Sequence, residues 1–235
     1  MDKLRIRQIY DYLKRHESCS FAELMKQFKV SSATIHRYAD ELSKRDAITR
    51  MRGGLVFNRA EVPREDSAYY LNRVVTNRRE KIAAARKALA VIQEGDIVFL
   101  DSSTTVNELA ILLRTASFSH LTIVTNSVSI IQNFRKLPSH YALIGLGGSY
   151  DPTLNSMLGS ETKSQFSQMN ITKAFISAFG IDDRNVTTNH ERQAELLRQV
   201  LDSAEHRYLI ADAEKFGRRG LYRIAAKGVF DCIFT

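Results

Sequence analysis

Cysteine is nearly absent from this chain of 235 residues: Cys19 and Cys232 stand at opposite ends. There is no CxxC pair and no Cys/His cluster, which argues against a metal site, a thiol redox centre or a disulfide framework. Both cysteines are expected as free thiols held by packing. Long apolar runs are missing too. None approaches the ~18 residues of a membrane span, and no signal peptide precedes the first helical pattern, so the cytosol is expected. Internal repeats and low-complexity tracts are lacking, and nothing calls for a cofactor. A hydrophobic content of 44% is ordinary for a globular chain. The length suits a small head and one larger domain.

The charge is present but unevenly spread. Residues 1–60 hold 13 Lys+Arg against 7 Asp+Glu, whereas residues 61–235 hold 21 against 19. Most of the net +8 therefore sits on about a quarter of the chain, as a nucleic-acid footprint should.

The same 60 residues carry a helical pattern. Ile6, Ile9, Tyr10 and Leu13 fall at i, i+3, i+4 and i+7, the apolar face of a first helix. Ser20-Phe21-Ala22-Glu23 reads as a capping box opening a short second helix with Leu24, Met25 and Phe28. Lys29-Val30 makes a turn, and Ser31 caps a third helix whose inner face is Ile35, Ala39 and Leu42. That face leaves Ser32, Thr34, His36 and Arg37 towards solvent in the N-terminal half, the part that meets base edges in a helix-turn-helix. Serine and threonine permit close approach, and arginine binds guanine bidentately. Gly53-Gly54 is a hairpin signal between Ile48–Met51 and Leu55–Phe57. Arg50 and Arg52 beside it are placed to reach phosphates or a narrow minor groove. A helical bundle with a solvated basic face is the plainer alternative. Motif, order and charge together favour binding to double-stranded DNA.

These residues, VSSATIHR with the trailing Glu41-Leu42 and RMRGGL, resemble the DeoR-type winged helix-turn-helix. His36 precedes Arg37 where the family usually has two basic residues. Tyr38-Ala39 stands for its Asp-Leu, and Arg52 for the histidine of its wing. The family consists of bacterial transcription regulators, mostly repressors of sugar-catabolic operons, with a C-terminal domain that senses a phosphorylated sugar. From the helix face and the wing, Ser31, Ser32, Thr34, His36, Arg37, Arg50, Arg52 and Gly53 are the expected DNA-contacting set. Paired heads on a symmetric site imply a homodimer or a higher homo-oligomer.

The expected domains are a winged head over 1–57, a linker over 58–76 and an effector domain over 77–235. Pro63 and mixed charges break periodicity in the linker, where Tyr69, Tyr70, Arg73 and Val74 suit a short helix. Asn77–Glu80 reads as a second capping box, and Ile82, Ala85, Leu89 and Ile92 continue a helix to Gly95. Strand and helix patterns then alternate. Strands are expected at Ile97–Leu100, Leu121–Val124, Tyr141–Ile144, Ala174–Phe179, Tyr208–Ala211 and Val229–Phe234. Helices are expected at Val106–Leu113, Val128–Phe134, Ser160–Gln168 and His190–Ala204. The fold class is thus α/β, a Rossmann-like, mostly parallel sheet covered on both faces.

Ligands of such sheets sit at the carboxyl ends of strands. Asp101, Ser102, Ser103, Thr104 and Thr105 follow the first strand and Asn126 the second. Gly147 and Gly148 follow the third, Asp182 the fourth, and Asp212 with Lys215 the fifth. Ser102–Thr105 has the composition of a phosphate cradle at a helix N-terminus, or of a plain N-cap. Lys215 offers a point charge to phosphate, or is a solvated loop lysine. Gly147-Gly148 allows close ligand approach, or simply turns. Asp101 and Asn126 suit sugar hydroxyls, or brace their loops. The segments DSSTT, TNS, LGGS, FGIDD and ADAEKFG together are similar to the DeoR sensor domain, whose fold resembles ribose-5-phosphate isomerase. That resemblance implies a phosphorylated sugar effector at these positions. One departure is Asn185-Val186-Thr187 where the family often has Gly-Val-Thr.

Two function classes follow. One is a ligand-gated transcription regulator with no catalytic residues. The other is a sugar-phosphate isomerase with an appended head, for which Asp101, Asp182 and Asp212 are eligible bases. The head is explained only by the first.

Overall fold

In the head, spacing and caps decide the elements. The computed structural model describes residues 3–16, 18–43, 48–51, 53–57, 65–133 and 136–235. Two compact units divide the chain, Met1–Glu65 and Asp66–Thr235. The first holds α1 (Lys3–His16), β1 (Ser18–Ser20), α2 (Phe21–Phe28), α3 (Ser32–Leu42), β2 (Ile48–Met51) and β3 (Gly54–Phe57). Ile6, Ile9, Leu13, Ile35, Ala39 and Leu42 are all buried in one core, joined by Leu24, Tyr38 and Phe57. The capping box forms: Glu23 N–H donates to Ser20 Oγ at 3.2 Å and Ser20 N–H to Glu23 Oε2 at 2.7 Å. Ser31 caps α3, accepting from Thr34 N–H at 3.3 Å. Lys29 ends α2 in the left-handed conformation, with φ 50°.

The wing differs from expectation in two details. Cys19 lies in β1, a strand added to the expected hairpin, which pairs antiparallel with β3 in the order β1-β3-β2. Of the two glycines, Gly53 (φ +90°) stands in the turn, while Gly54 already pairs with Met51. A Cβ on Gly54 would stand 2.4 Å from Cys19 O, so this glycine lets β1 approach. Arg52 and the linker stretch with Pro63 lie outside the described residues.

The second unit begins with α4 (Glu65–Val75) and α5 (Arg78–Leu89). The second capping box does not form. Asn77 adopts φ 52°, its side chain makes no cap bond, and Asn77 Nδ2 donates instead to Asp212 Oδ1 at 3.4 Å. Glu80 Oε2 accepts from Ala213 N–H at 3.4 Å. Both side chains are drawn to the turn after a distant strand, which local spacing does not reveal. The α-helix also ends at Leu89, short of the Gly95 expected from periodicity, and its buried face is Lys81, Ala84, Ala85 and Ala88.

Alternation then follows: β4 (Ile97–Leu100), α6 (Thr104–Leu112), β5 (Leu121–Thr125), α7 (Val128–Gln132), β6 (Tyr141–Gly145), β7 (Ser149–Asp151), β8 (Ser156–Leu158), α8 (Ser160–Phe166) and β9 (Lys173–Ile176). After it come β10 (Gly180–Ile181), β11 (Asn185–Thr188), α9 (Glu191–Ser203), β12 (His206–Ile210), β13 (Tyr222–Ala226) and β14 (Cys232–Phe234). Among the described residues, six strands form a parallel sheet in the order β14-β12-β9-β4-β5-β6. Alternate strand residues serve separate cores. Val98, Leu100, Ile123 and Phe175 pack with α5 and α6, while Phe99, Val124, Ala174 and Ile176 pack with α8 and α9. Helices therefore cover both faces, as expected. The β7–β8 hairpin and the antiparallel sheet β10-β11-β13 carry weak periodicity and were not foreseen.

The fourth strand is shorter than its apolar run. Lys173–Ile176 is the strand, because Ser177 N–H turns to Asp101 Oδ2 at 2.9 Å. Its end is thus Ser177-Ala178-Phe179, Gly180–Ile181 belongs to the antiparallel sheet, and Asp182 follows in the β10–β11 turn. The chain reverses direction across the sheet between β4 and β9. That reversal is a topological switch point, where open α/β sheets bind ligands.

Candidate functional site

On the head, Ser31, Ser32 and Arg37 are exposed on the N-terminal half of α3, and Thr34 is half-buried. The Ser31 and Thr34 hydroxyls lie 2.9 Å apart. His36 packs edge-on against Phe21, with centroids 4.5 Å apart. Arg50 reaches from the wing to α3: Nη2 lies 3.0 Å from His36 Nδ1, and Nη1 pairs with Asp40. Its guanidinium also stands 5.6 Å from the Phe21 ring centroid. Two of the expected DNA contacts, His36 and Arg50, are thus joined in a bracket that ties the wing to α3. Gly53 contributes its carbonyl, accepting from Phe21 N–H at 2.8 Å.

In the second unit a cavity of about 380 Å³ opens at the switch point. Ser103, Ser177, Phe179, Asp212 and Lys215 come to it from the ends of β4, β9 and β12. Arg73, Thr76, Asn77 and Lys81 come from α4 and α5, while Thr188, His190, Gln193 and Arg218 close the other side.

Lys81 is the centre of this arrangement. It is only 3% exposed. Its Nζ donates to Thr104 Oγ1 at 3.0 Å and to the Arg73 carbonyl. Burial pushes the Lys81 ammonium below its ordinary range. Asp212 opposes the shift, and Lys215 and Arg73 reinforce it. Burial likewise lowers Lys215, against Asp212 and with help from Arg73 and Arg218. Four cations, Arg73, Lys81, Lys215 and Arg218, thus face a space that holds two acids, Asp212 and Glu214. Asp212 Oδ2 is buried without a hydrogen-bond partner. Cations crowded into a partly dry space are offset by a bound anion.

The hydroxyl loop sits beside them. Ser103 caps α6, accepting from Val106 N–H at 3.1 Å, and the first-turn amides of Thr104 and Thr105 have no intrahelical acceptor. Ser102, Thr104 and Thr105 are buried; Ser103 lines the cavity. Asp101 is buried beneath the loop, accepting from Ser103 and Ser177 N–H at 2.9 Å each. Burial raises its carboxyl to about 6, against the hydrogen bonds and Arg73. Asp101 therefore joins the end of β4 to the end of β9. On the opposite wall, Thr188 Oγ1 donates to Gln193 Oε1 at 2.6 Å. His190 is held below the usual histidine range by burial, against Asp151.

Other expected positions lie apart from the cavity lining. Asn126, at the end of β5, is buried and donates to Ser156 Oγ at 2.7 Å and Met157 O at 3.2 Å. Gly147 N–H donates to Gln165 Oε1, and Gly148 (φ +138°) would clash through a Cβ with Thr162 Oγ1 at 2.2 Å. Asp182 caps the β10–β11 turn, and the Arg184 and Asn185 amides hold its carboxyl below the ordinary range. Sequence reasoning missed Lys81, although the signal was present: it shares the i, i+3, i+4, i+7 face of Ala84, Ala85 and Ala88. Arg73, Thr188, Gln193 and Arg218 carried no comparable signal.

Among the described residues no cluster of His, Cys, Asp or Glu suits a metal, and no helix is long and apolar enough to cross a membrane. Cys19 and Cys232 are free thiols.

The chain matches the model of the DeoR-like helix-turn-helix domain over residues 5–61 and that of the DeoR C terminal sensor domain over residues 76–235. It is 32% identical to the HTH-type transcriptional regulator IolR of Bacillus subtilis (strain 168), over 100% of this chain and 91% of that one. Identity is 26% to the lactose phosphotransferase system repressor of Lactococcus lactis subsp. lactis, over 99% and 90%. It is 27% to the glycerol-3-phosphate regulon repressor of Escherichia coli (strain K12), over 97% and 88%. A solved D-ribose-5-phosphate isomerase shows a slight likeness, with TM-score 0.43, 17% identity and coverage of 59% of this chain and 54% of that one. The relatives matched along the whole chain are regulators, so the isomerase alternative is set aside. A DNA-binding helix-turn-helix head followed by a sensor domain, shared with these relatives from end to end, makes this chain a member of the DeoR family of transcriptional regulators.

Proposed function

We propose that this regulator represses a sugar-catabolic operon in the cytoplasm and is controlled by a phosphorylated sugar held in the cavity. The observation that carries the reading is the convergence of Arg73, Lys81, Lys215 and Arg218 on a hydroxyl-rich helix N-terminus at the sheet's switch point. A phosphate monoester carries nearly two negative charges at neutral pH, which suits four cations set against two acids. Its oxygens meet Lys81, Lys215 and the Ser103–Thr104 loop. The sugar meets Asn77, Ser177, Thr188 and Gln193. Asp101 ties the ends of β4 and β9 together. Two relatives are named as repressors of the lactose phosphotransferase system and of the glycerol-3-phosphate regulon. That supports the effector class.

The DNA-binding set is Ser31, Ser32, Thr34 and Arg37 towards base edges, with Arg50, Arg52 and Gly53 of the wing towards phosphates. The bracket of Arg50, His36 and Asp40 presents helix and wing together. Two heads are needed on a two-fold operator, so the working unit is a homodimer or a larger homo-oligomer.

A melting-shift screen of sugar phosphates against their unphosphorylated sugars tests the site. A ligand at 100 times its dissociation constant stabilises by roughly 2.7 kcal/mol. The phosphorylated compound should shift the melting point and Lys215→Ala should abolish the shift. Equal shifts with and without phosphate would place the site elsewhere.

A further inference from the structure

The wall of the cavity nearest the start of this unit is a corner between two helices. Helix α4 is the element whose chain leads back to the head. It meets α5 at Thr76-Asn77, and both residues line the cavity, as does Arg73. Asn77 holds φ 52° and ψ 29°, a left-handed conformation uncommon outside glycine. Its amide reaches Asp212 on the sheet rim. The last turn of a helix leaves carbonyls without intrahelical donors. Here the Arg73 carbonyl takes the ammonium of Lys81, which also donates to Thr104 at the start of α6. Lys81 is therefore a strap from the start of α6 to the end of α4.

We propose that an anion in the cavity clamps this corner, so that effector occupancy passes towards the head along α4. The inference rests on the cavity being the anion site. A lysine ammonium has three donors, and two of these are used within the protein. The third faces the cavity with Lys215 and with Arg73, whose guanidinium lines it while also donating to Thr153 O at 3.4 Å. Lys81 lies on α5 and Arg73 on α4, so one anion touching both bridges the corner. A loosened α4 would carry Arg73 and the strapped carbonyl away, and the anion would lose contacts. The ligand therefore binds the docked arrangement better, which is the condition for shifting a population.

Hydrogen exchange of the full chain tests this, with inorganic phosphate and glycerol 3-phosphate as probes at saturating concentration and glycerol as control. Melting curves are taken in parallel. The probes should raise the melting point and slow exchange of the 65–76 amides several-fold, as local opening becomes rarer. Lys81→Met should speed that exchange without probe and remove the response. Lys215→Met should remove the response to both probes. Asn77→Gly, which fits the left-handed conformation, is a second route to faster exchange of α4. A melting shift with no change over 65–76 overturns the clamp while sparing the site. Unchanged exchange in both Lys81→Met and Asn77→Gly overturns the strap. No melting shift from either probe overturns the reading of the cavity itself.

Discussion

Lys81 and Thr104 meet at 3.0 Å: the ammonium from the buried face of α5 donates to the hydroxyl that opens α6. Thr104→Val keeps the shape and removes the acceptor. Leaving a buried charged donor short of a partner costs about 1–3 kcal/mol. Denaturation of the unliganded chain should show that loss, and the phosphate-induced melting shift should shrink. A variant as stable and as responsive as the wild type would remove Thr104 from the site.

Burial holds Lys81 and Lys215 below their ordinary 10.5. Between the lowered and the ordinary values, the unfolded chain holds more protons than the folded one, so unliganded stability rises with pH in that window. A bound anion reverses the shift and draws protons onto the lysines. Calorimetry in buffers of different ionisation enthalpy should report proton uptake on binding at alkaline pH, with affinity falling as pH rises. Proton release would contradict this.

Asp101 behaves in the opposite sense. Its carboxyl, raised to about 6 from 3.8, costs stability when ionised. That cost is complete above the folded value and disappears as pH falls towards the unfolded one. The full window corresponds to about 3 kcal/mol. Relative to Asp101→Asn, the wild type should gain about 1 kcal/mol between pH 7.5 and 5. A flat difference would show that the carboxylate is adequately solvated or paired.

Gly53 and Gly54 should separate in the wing. Gly54→Ala places a Cβ against Cys19 O at 2.4 Å, whereas Gly53→Ala meets open space but keeps an unfavourable φ of +90°. Gly53→Ala should cost about 1–2 kcal/mol. Gly54→Ala should cost more, because the contact is backbone on backbone and β1 must move. Thermal melting of the head transition decides the order. A milder effect for Gly54→Ala would refute the close-approach reading.

Arg37→Ala and Arg50→Ala should also differ. Arg37 is exposed on α3. Its loss should cost about 1–3 kcal/mol at the preferred DNA site and relax base preference. Arg50 is paired with Asp40 on the surface, so its loss should change stability by less than about 1 kcal/mol. It frees the wing, however, and should weaken binding to all sequences alike, as a gel shift across several duplexes would reveal. Base-selective loss with Arg50→Ala would reverse the two roles.

The sequence by itself determined the local elements. The faces Ile6–Leu13 and Ile35–Leu42, the caps at Ser20 and Ser31, and the strand Ile97–Leu100 all stand where spacing placed them. These depend on contacts three or four residues apart, or on uninterrupted apolar runs. The hydroxyl loop and Lys215 were legible for the same reason, as strand-end motifs.

The tertiary structure decided which strand ends meet. Sheet order sets β9 beside β4 and places β5 and β6 on the other side. Ser177, Phe179 and Gln193 consequently share a cavity with Ser103, while Asn126 is spent on β8 and Gly148 lies close against Leu158 and Thr162. Only folding could show that Asn77 and Glu80 abandon their helix cap for the Asp212–Ala213 turn, more than 130 residues away. Nor could the sequence show that Lys81 ties Arg73 to Thr104. A hydrogen bond between distant segments leaves no period in the chain. It is fixed by which elements the sheet brings within 3 Å or so of one another.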